Sequence, residues 1–289
     1  MVLVNNNISP LPFYATAAEQ DRFKDYAFGS IYPLCCHRNY LLPFYLFVPA
    51  DYSLTSFYIR TLDNTKTYTF SGPALQDMGF AEIAVSETFK AIYFPAKVPL
   101  SIYAGEDLLV GQVVIVLNFA GALFTSEVLT LCDNVDNLLK LEYSNSYPLE
   151  FKHGLLDFNS GNNKLYLYLP TQLGKPEYVF EEEATERGGY TFIELQTSKK
   201  IYKCTFVAPE YLCAALRIAY LCDNKAVTSK NKVYDLIHYN MEVEWQEQGN
   251  LAEITLELET DNVINNISGF MKEALGADFN SDFNKDFKI

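Results

Sequence analysis

Between residues 40 and 131 short apolar runs alternate with clusters of turn-forming residues, the spacing expected of β-strands. Leu41-Leu-Pro-Phe-Tyr-Leu-Phe-Val48 reads as a buried strand, and Pro43, which has no N–H for a ladder, marks an edge or a strand start. Residues 56–62 and 67–70 flank Asp63-Asn-Thr-Lys66 as a hairpin. Strands over 87–94, 100–103, 112–118 and 123–131 complete a set that predicts a β-sandwich domain across 40–132. Cys132-Asp-Asn-Val-Asp-Asn137 is rich in turn formers and predicts the joint between two halves.

The pattern restarts at Leu138 and predicts a second β-rich domain over 137–265. Strands are expected at 138–143, 164–169 and 199–207, with a loop over 159–163. Pro209 then opens a helix to about 222, in which Leu212, Ala215, Leu216, Ala219 and Cys222 recur at helical spacing. Near the end, Tyr239, Met241, Val243 and Trp245 alternate with polar residues, as do Ala252, Ile254, Leu256 and Leu258. Two such runs about a Gly-containing loop predict an antiparallel hairpin with one dry and one acidic face, Trp245 lying on the dry side. The fold class expected is therefore mainly β, two sandwich-like domains of which the second carries one helix.

The ends read differently. Residues 1–39 form an arm, proline-bearing at 10 and 12, with a short helix or irregular connection over 17–26 and the first strand-like stretch beginning over 28–35. In the tail, 266–289, Asp-Phe recurs at 278, 282 and 286, so that Phe279, Phe283 and Phe287 would make one stripe on a helix. That stripe predicts either a docking segment for a neighbouring subunit or a helix laid on its own domain.

Composition narrows the function. Aromatic residues make up 15% of the chain, which favours strands and contact surfaces. A net charge of −14 repels a phosphate backbone and predicts no nucleic-acid partner. No apolar run is long enough for a membrane span, and the first residues lack the basic region of a secretory signal. Synthesis in the cytoplasm is the expectation, and with it six free thiols, most of them acting as small buried hydrophobes.

Little chemistry is spelled out. Cys35-Cys36-His37 has no second ligand pair and so predicts no zinc site; His153 reads as a loop residue and His238 as a structural strand residue. The run Glu181-Glu-Glu-Ala-Thr-Glu186 reads as a solvated loop, Gly188-Gly189 as a turn, and Asp133 and Asp136 as turn residues. Without a nucleophile elbow, P-loop or zincin motif the chain predicts no enzyme and no cofactor.

Leu173-Gly-Lys-Pro-Glu-Tyr178, Glu181-Glu-Glu, Gly189-Tyr-Thr-Phe192, Ala208-Pro-Glu-Tyr-Leu-Cys213 and Val243-Glu-Trp-Gln-Glu-Gln-Gly-Asn-Leu251 resemble a family of uncharacterised tail-region proteins of Bacteroidetes phages and prophages. Leu11-Pro-Phe13, Arg22-Phe23 and Leu41-Leu-Pro-Phe44 fit the same group, so the likeness runs from about 11 to 265. It implies a structural virion protein near the tail tip, hub or baseplate adaptor, assembled in a ring with copies of itself and other tail proteins. On that reading Leu11, Phe13, Phe279, Phe283 and Phe287 are the candidate partner-binding residues. The alternative is a β-sandwich of the virion or cell surface that binds host glycan by stacking Tyr or Trp on sugar rings.

Overall fold

Elements form where apolar residues alternate. The computed structural model describes residues 9–15, 34–95, 100, 110–151, 154–157, 164–245 and 251–267. In the first half β1 (Phe13–Tyr14), β2 (Leu34–His37), β3 (Phe44–Pro49), β4 (Ser56–Thr61) and β5 (Thr67–Ser71) lead to a one-turn helix, α1 (Pro73–Asp77). Strands β6 (Ala81–Ala84), β7 (Phe89–Phe94), β8 (Gly111–Phe119), β9 (Ala122–Ser126) and β10 (Leu129–Cys132) follow. The second half holds β11 (Leu139–Ser144), β12 (Leu149–Phe151), β13 (Gly154–Leu156), β14 (Leu165–Leu169), β15 (Glu177–Arg187) and β16 (Tyr190–Pro209). It closes with α2 (Glu210–Leu221), β17 (Asn224–Ser229), β18 (Lys232–Trp245), β19 (Leu251–Thr260) and β20 (Ile264–Ile267). The protein is mainly β, as its pattern predicts. The expected features at 17–26, 101–103, 159–163 and beyond 267, together with His153, lie outside the described residues.

In the first half β3, β7 and β6 form one sheet, and β4, β5 and β8 belong to a larger one. A phenylalanine cluster joins them. The Phe94 ring lies 5.2 Å from Phe44, 4.8 Å from Phe80 and 5.9 Å from Phe57, and Phe13 lies 4.7 Å from Phe44. Strand β3 begins just after Pro43 at the edge of its sheet, and it reads as an unbroken apolar run because both its faces are dry. Phe44 faces the cluster. Tyr45, on the opposite face, stacks on Tyr93 at 4.4 Å and donates its hydroxyl to the Asp157 carbonyl at 2.8 Å. The Tyr166 hydroxyl reaches back to the Leu41 carbonyl at 2.8 Å, so tyrosines rivet the two halves together.

The larger sheet does not stop at the expected joint. Its order runs β1-β9-β8-β10-β2-β14-β11-β17-β18-β19-β16-β15. Strand β2 bridges the halves: it pairs parallel with β10 and meets β14 antiparallel at Cys35 and Tyr168. Residues 133–138 are therefore a connection within one sheet, where the Asp133 carboxylate holds Arg38 at 2.8 Å. The arm expected over 1–39 is corrected in the same way. Its described residues belong to the body, since Leu34 and Cys36 alternate into the core and Leu11 and Phe13 are buried.

Two further expectations are revised. The single strand expected over 123–131 is two strands. Between them the Ser126 hydroxyl accepts the Ile115 N–H at 2.9 Å and the Glu127 N–H donates to the Pro12 carbonyl at 3.0 Å. The side chain thus takes a ladder position, and the chain kinks to run beside a different stretch of β8. Strand β20 adds antiparallel to β16 and runs to Ile267, two residues into the expected tail.

Helix α2 forms as its spacing predicts. Extended Pro209 stands immediately before its first turn, Leu212, Ala215, Leu216 and Ala219 are fully buried, and Cys222 ends it. It packs on β16, β18 and β19. The hairpin predicted near the end is β18 and β19: Tyr239 pairs with Leu258, Met241 with Leu256 and Val243 with Ile254. Register shifts at Ile237, which keeps Leu236 and Tyr239 on the same dry face.

Candidate interaction surface

The dry face made by Tyr202, Cys204, Phe206, Leu256 and Leu258 is covered by the helix near its middle, but the sheet continues past that cover. Strands β15 and β16 extend from it as a long hairpin, turned at Gly188 and Gly189, whose φ values of 61° and 83° suit a two-residue turn. Period two carries the dry face outward. Tyr202 is on it, so Lys200 and Ser198 are too, and through register so are Tyr178, Phe180 and Ile264. Tyr178 is 56% exposed, Phe180 73% and Ile264 64%. Phe180 and Ile264 flank Ser198 in one row, roughly 10 Å apart at ordinary strand spacing. The core face of the sheet thus runs out into solvent with Tyr178, Phe180 and Ile264 exposed around Ser198 and Lys200, whose ammonium lies 5.8 Å from the centre of the Tyr178 ring.

The opposite face of the same strands is ionic. Lys199 contacts Glu181 at 2.9 Å and Glu259 at 3.8 Å; Lys203 contacts Glu177 at 3.4 Å and Glu257 at 3.5 Å. Hydrogen bonding to Glu181 raises the Lys199 ammonium above its ordinary pKa, and Glu177 does the same for Lys203. Exposed pairs of this kind add little stability and mainly fix which face is wet. Glu183 stands exposed on this ionic face, whereas Glu182, which accepts from Gln196 at 2.7 Å, follows Phe180 on the apolar face. The acidic run is therefore not the loop expected from sequence. It is the body of β15, whose pairing with β16 shifts register at Glu183 and Ala184, where the Thr185 hydroxyl bonds the Glu194 carboxylate.

The residues singled out for binding are not brought together. Leu11 and Phe13 are 0% and 1% exposed, within the chain's own core, and offer no surface to a neighbour there. Phe279, Phe283 and Phe287 lie outside the described residues. Trp245 departs from its expected place: it is on the dry side of β18 by register, yet at the strand's end it is 53% exposed. Tyr178, Phe180 and Ile264 were missed. For Tyr178 and Phe180 the signal was period two through Glu177-Tyr-Val-Phe-Glu181, masked by the glutamates that follow.

Other polar clusters are less organised. The six cysteines are free thiols, with Cys35 and Cys132 half-buried and the rest buried. Burial, aided by neighbouring Cys132, pushes the Cys35 thiol up to about 11, so it is a poor nucleophile at neutral pH. Among the described residues no three His, Cys, Asp or Glu converge to hold a metal ion. His37 accepts the Asn39 N–H at 3.2 Å, and His238 is exposed on the wet face of β18. A cleft of about 210 Å³ is lined by Glu142, Asp223, Lys225 and Asp235. Lys225 turns its ammonium to the Cys222 carbonyl, and burial lowers its pKa. No described helix is long and apolar enough to cross a membrane.

No protein-family model matches the chain, and no curated protein matches it at a significant level. The surface itself is of a familiar physical class, an apolar stripe on a projecting hairpin, bounded by charge.

Proposed function

We propose that the protein is an assembly component of a phage tail, in the tip, hub or baseplate-adaptor layer, whose work is binding neighbouring subunits, including copies of itself in a ring. The observation that carries this reading is Phe180, 73% exposed on a face that is elsewhere the core of the sheet. A projecting strand pair gains nothing for its own fold by presenting Tyr178, Phe180 and Ile264 to water, whereas covering them on assembly releases the hydrophobic cost of that exposure. The motif resemblance to tail-region phage proteins supports the same role.

The full chain co-expressed with the proteins encoded beside it is expected to co-purify as a multimer. The triple variant Y178S/F180S/I264S should keep its melting temperature within a few degrees and lose co-assembly by about tenfold or more. A chain that stays monomeric and captures none of those proteins contradicts the role, as does normal assembly of the variant.

Host-glycan binding is the second reading, and it is favoured by the exposed Trp245 ring. It requires oligosaccharides to quench the fluorescence of this one tryptophan, which assembly through the hairpin does not.

A further inference from the structure

Strand β15 is the last strand of the large sheet. Among the described residues it pairs with β16 alone, so its outer edge presents a row of backbone N–H and C=O groups. Side chains on either side of that edge are sorted. Tyr178 and Phe180 lie on the apolar face; Glu177, Glu181 and Glu183 lie on the ionic face, with Glu182 and Glu186 closing the apolar stripe towards the tip. We propose that this edge is a strand-addition site for an extended segment of a different protein in which apolar residues alternate with lysine or arginine.

Each part of that partner's chemistry follows from what it would meet. Main-chain hydrogen bonds to the free edge give affinity without sequence preference, and pockets for alternate side chains give selectivity. Apolar residues on one side of the added strand would cover Tyr178 and Phe180. Basic residues on the other would stand beside Glu181 and Glu183, directly opposed pairs of unlike charge being favourable across strands. A second copy fits worse. Antiparallel pairing of two β15 strands centred on Glu182 sets Glu181 against Glu183 in both directions, and like charges opposite one another are destabilising. The chain's own residues 268–289 fit worse as well, because they hold Lys272, Lys285 and Lys288 against Glu273, Asp278, Asp282 and Asp286. The same glutamates that protect the edge from self-association therefore select a basic strand.

The inference rests on the hairpin being an interaction surface and adds what binds there. Its test uses the full chain and a synthetic peptide alternating lysine with valine. Binding is read by fluorescence anisotropy, and protection of the 177–187 amides by hydrogen exchange. The peptide should bind and protect β15. The same peptide with glutamate for lysine, or with alternate amides N-methylated, should bind at least about tenfold more weakly, as should the lysine peptide to the E183K variant, whose substitution is exposed on the ionic face. Equal binding of the N-methylated peptide would reduce the effect to charge alone and overturn strand addition. Tighter binding of a peptide comprising residues 268–289, or dimerisation of the chain with protection of β15, would assign the edge to the protein itself. Should Y178S/F180S/I264S abolish co-assembly while the lysine peptide fails to bind, the hairpin keeps its role and strand addition falls. Should the peptide bind while that variant assembles normally, the edge stands and the assembly role falls.

Discussion

Replacing Phe94 by alanine is expected to lower the stability of the protein by about 3–5 kcal/mol, the range for removing a buried aromatic ring. Phe94 is 1% exposed and touches Phe44, Phe57 and Phe80, residues of two facing sheets and of the segment between them. Those neighbours are held by strand pairing, β3 with β7 and β4 with β8, so they cannot collapse freely into the space left behind. The urea midpoint at neutral pH checks this. A loss under about 1 kcal/mol would mean that the cluster is not close-packed across the sandwich.

A second large effect is alkaline unfolding. Burial raises the pKa of Cys204 to about 11 and of Cys222 to about 12, and it moves the Cys36 thiol higher still. It also holds the Tyr93, Tyr143 and Tyr239 phenols well above their ordinary value of 10.0. A folded-state pKa raised above the unfolded one leaves stability intact while both states keep the proton. Above about pH 9 for thiols and 10 for phenols the unfolded chain ionises first, and each such group then removes about 1.4 kcal/mol per pH unit until its folded pKa is reached. From these three thiols and three phenols alone, the loss by pH 11 is on the order of 10 kcal/mol, comparable to the whole stability of a typical domain. Circular dichroism should show cooperative unfolding between about pH 10 and 11, coincident with the rise in tyrosinate absorbance. Ionisation of all the tyrosines without loss of the β signal would contradict the burial described for them.

Much of the fold was legible in the pattern because it is governed by local periodicity. Helix α2 and the β18–β19 hairpin show their buried faces in the spacing of Leu212, Leu216, Ile254 and Leu256, and the sequence places them correctly. What was not legible depends on partners far along the chain. Nothing near Leu34-Cys-Cys-His37 says that it will lie between β10 and β14, so a strand that ties the halves together reads as part of an arm. Phe13 likewise looks available until Phe44 is seen beside it.

The candidate surface was the least legible part. Glutamate is a poor strand former, and Glu181-Glu-Glu183 overrides the alternation of Tyr178 and Phe180 on any local reading. The strand exists because β16 pairs with it along its whole length and lysines at 199 and 203 answer its carboxylates. Only that pairing shows that Phe180 shares a face with the core residues Tyr202 and Leu258.

The central claim is that this protein works by contact through the apolar face of the β15–β16 hairpin. An electron-microscopy reconstruction of the particle assembled from the co-expressed proteins tests it most directly. It should show density of a neighbouring subunit lying over Tyr178, Phe180 and Ile264. A particle in which those three side chains face open solvent, with the subunits joined elsewhere, would contradict the claim.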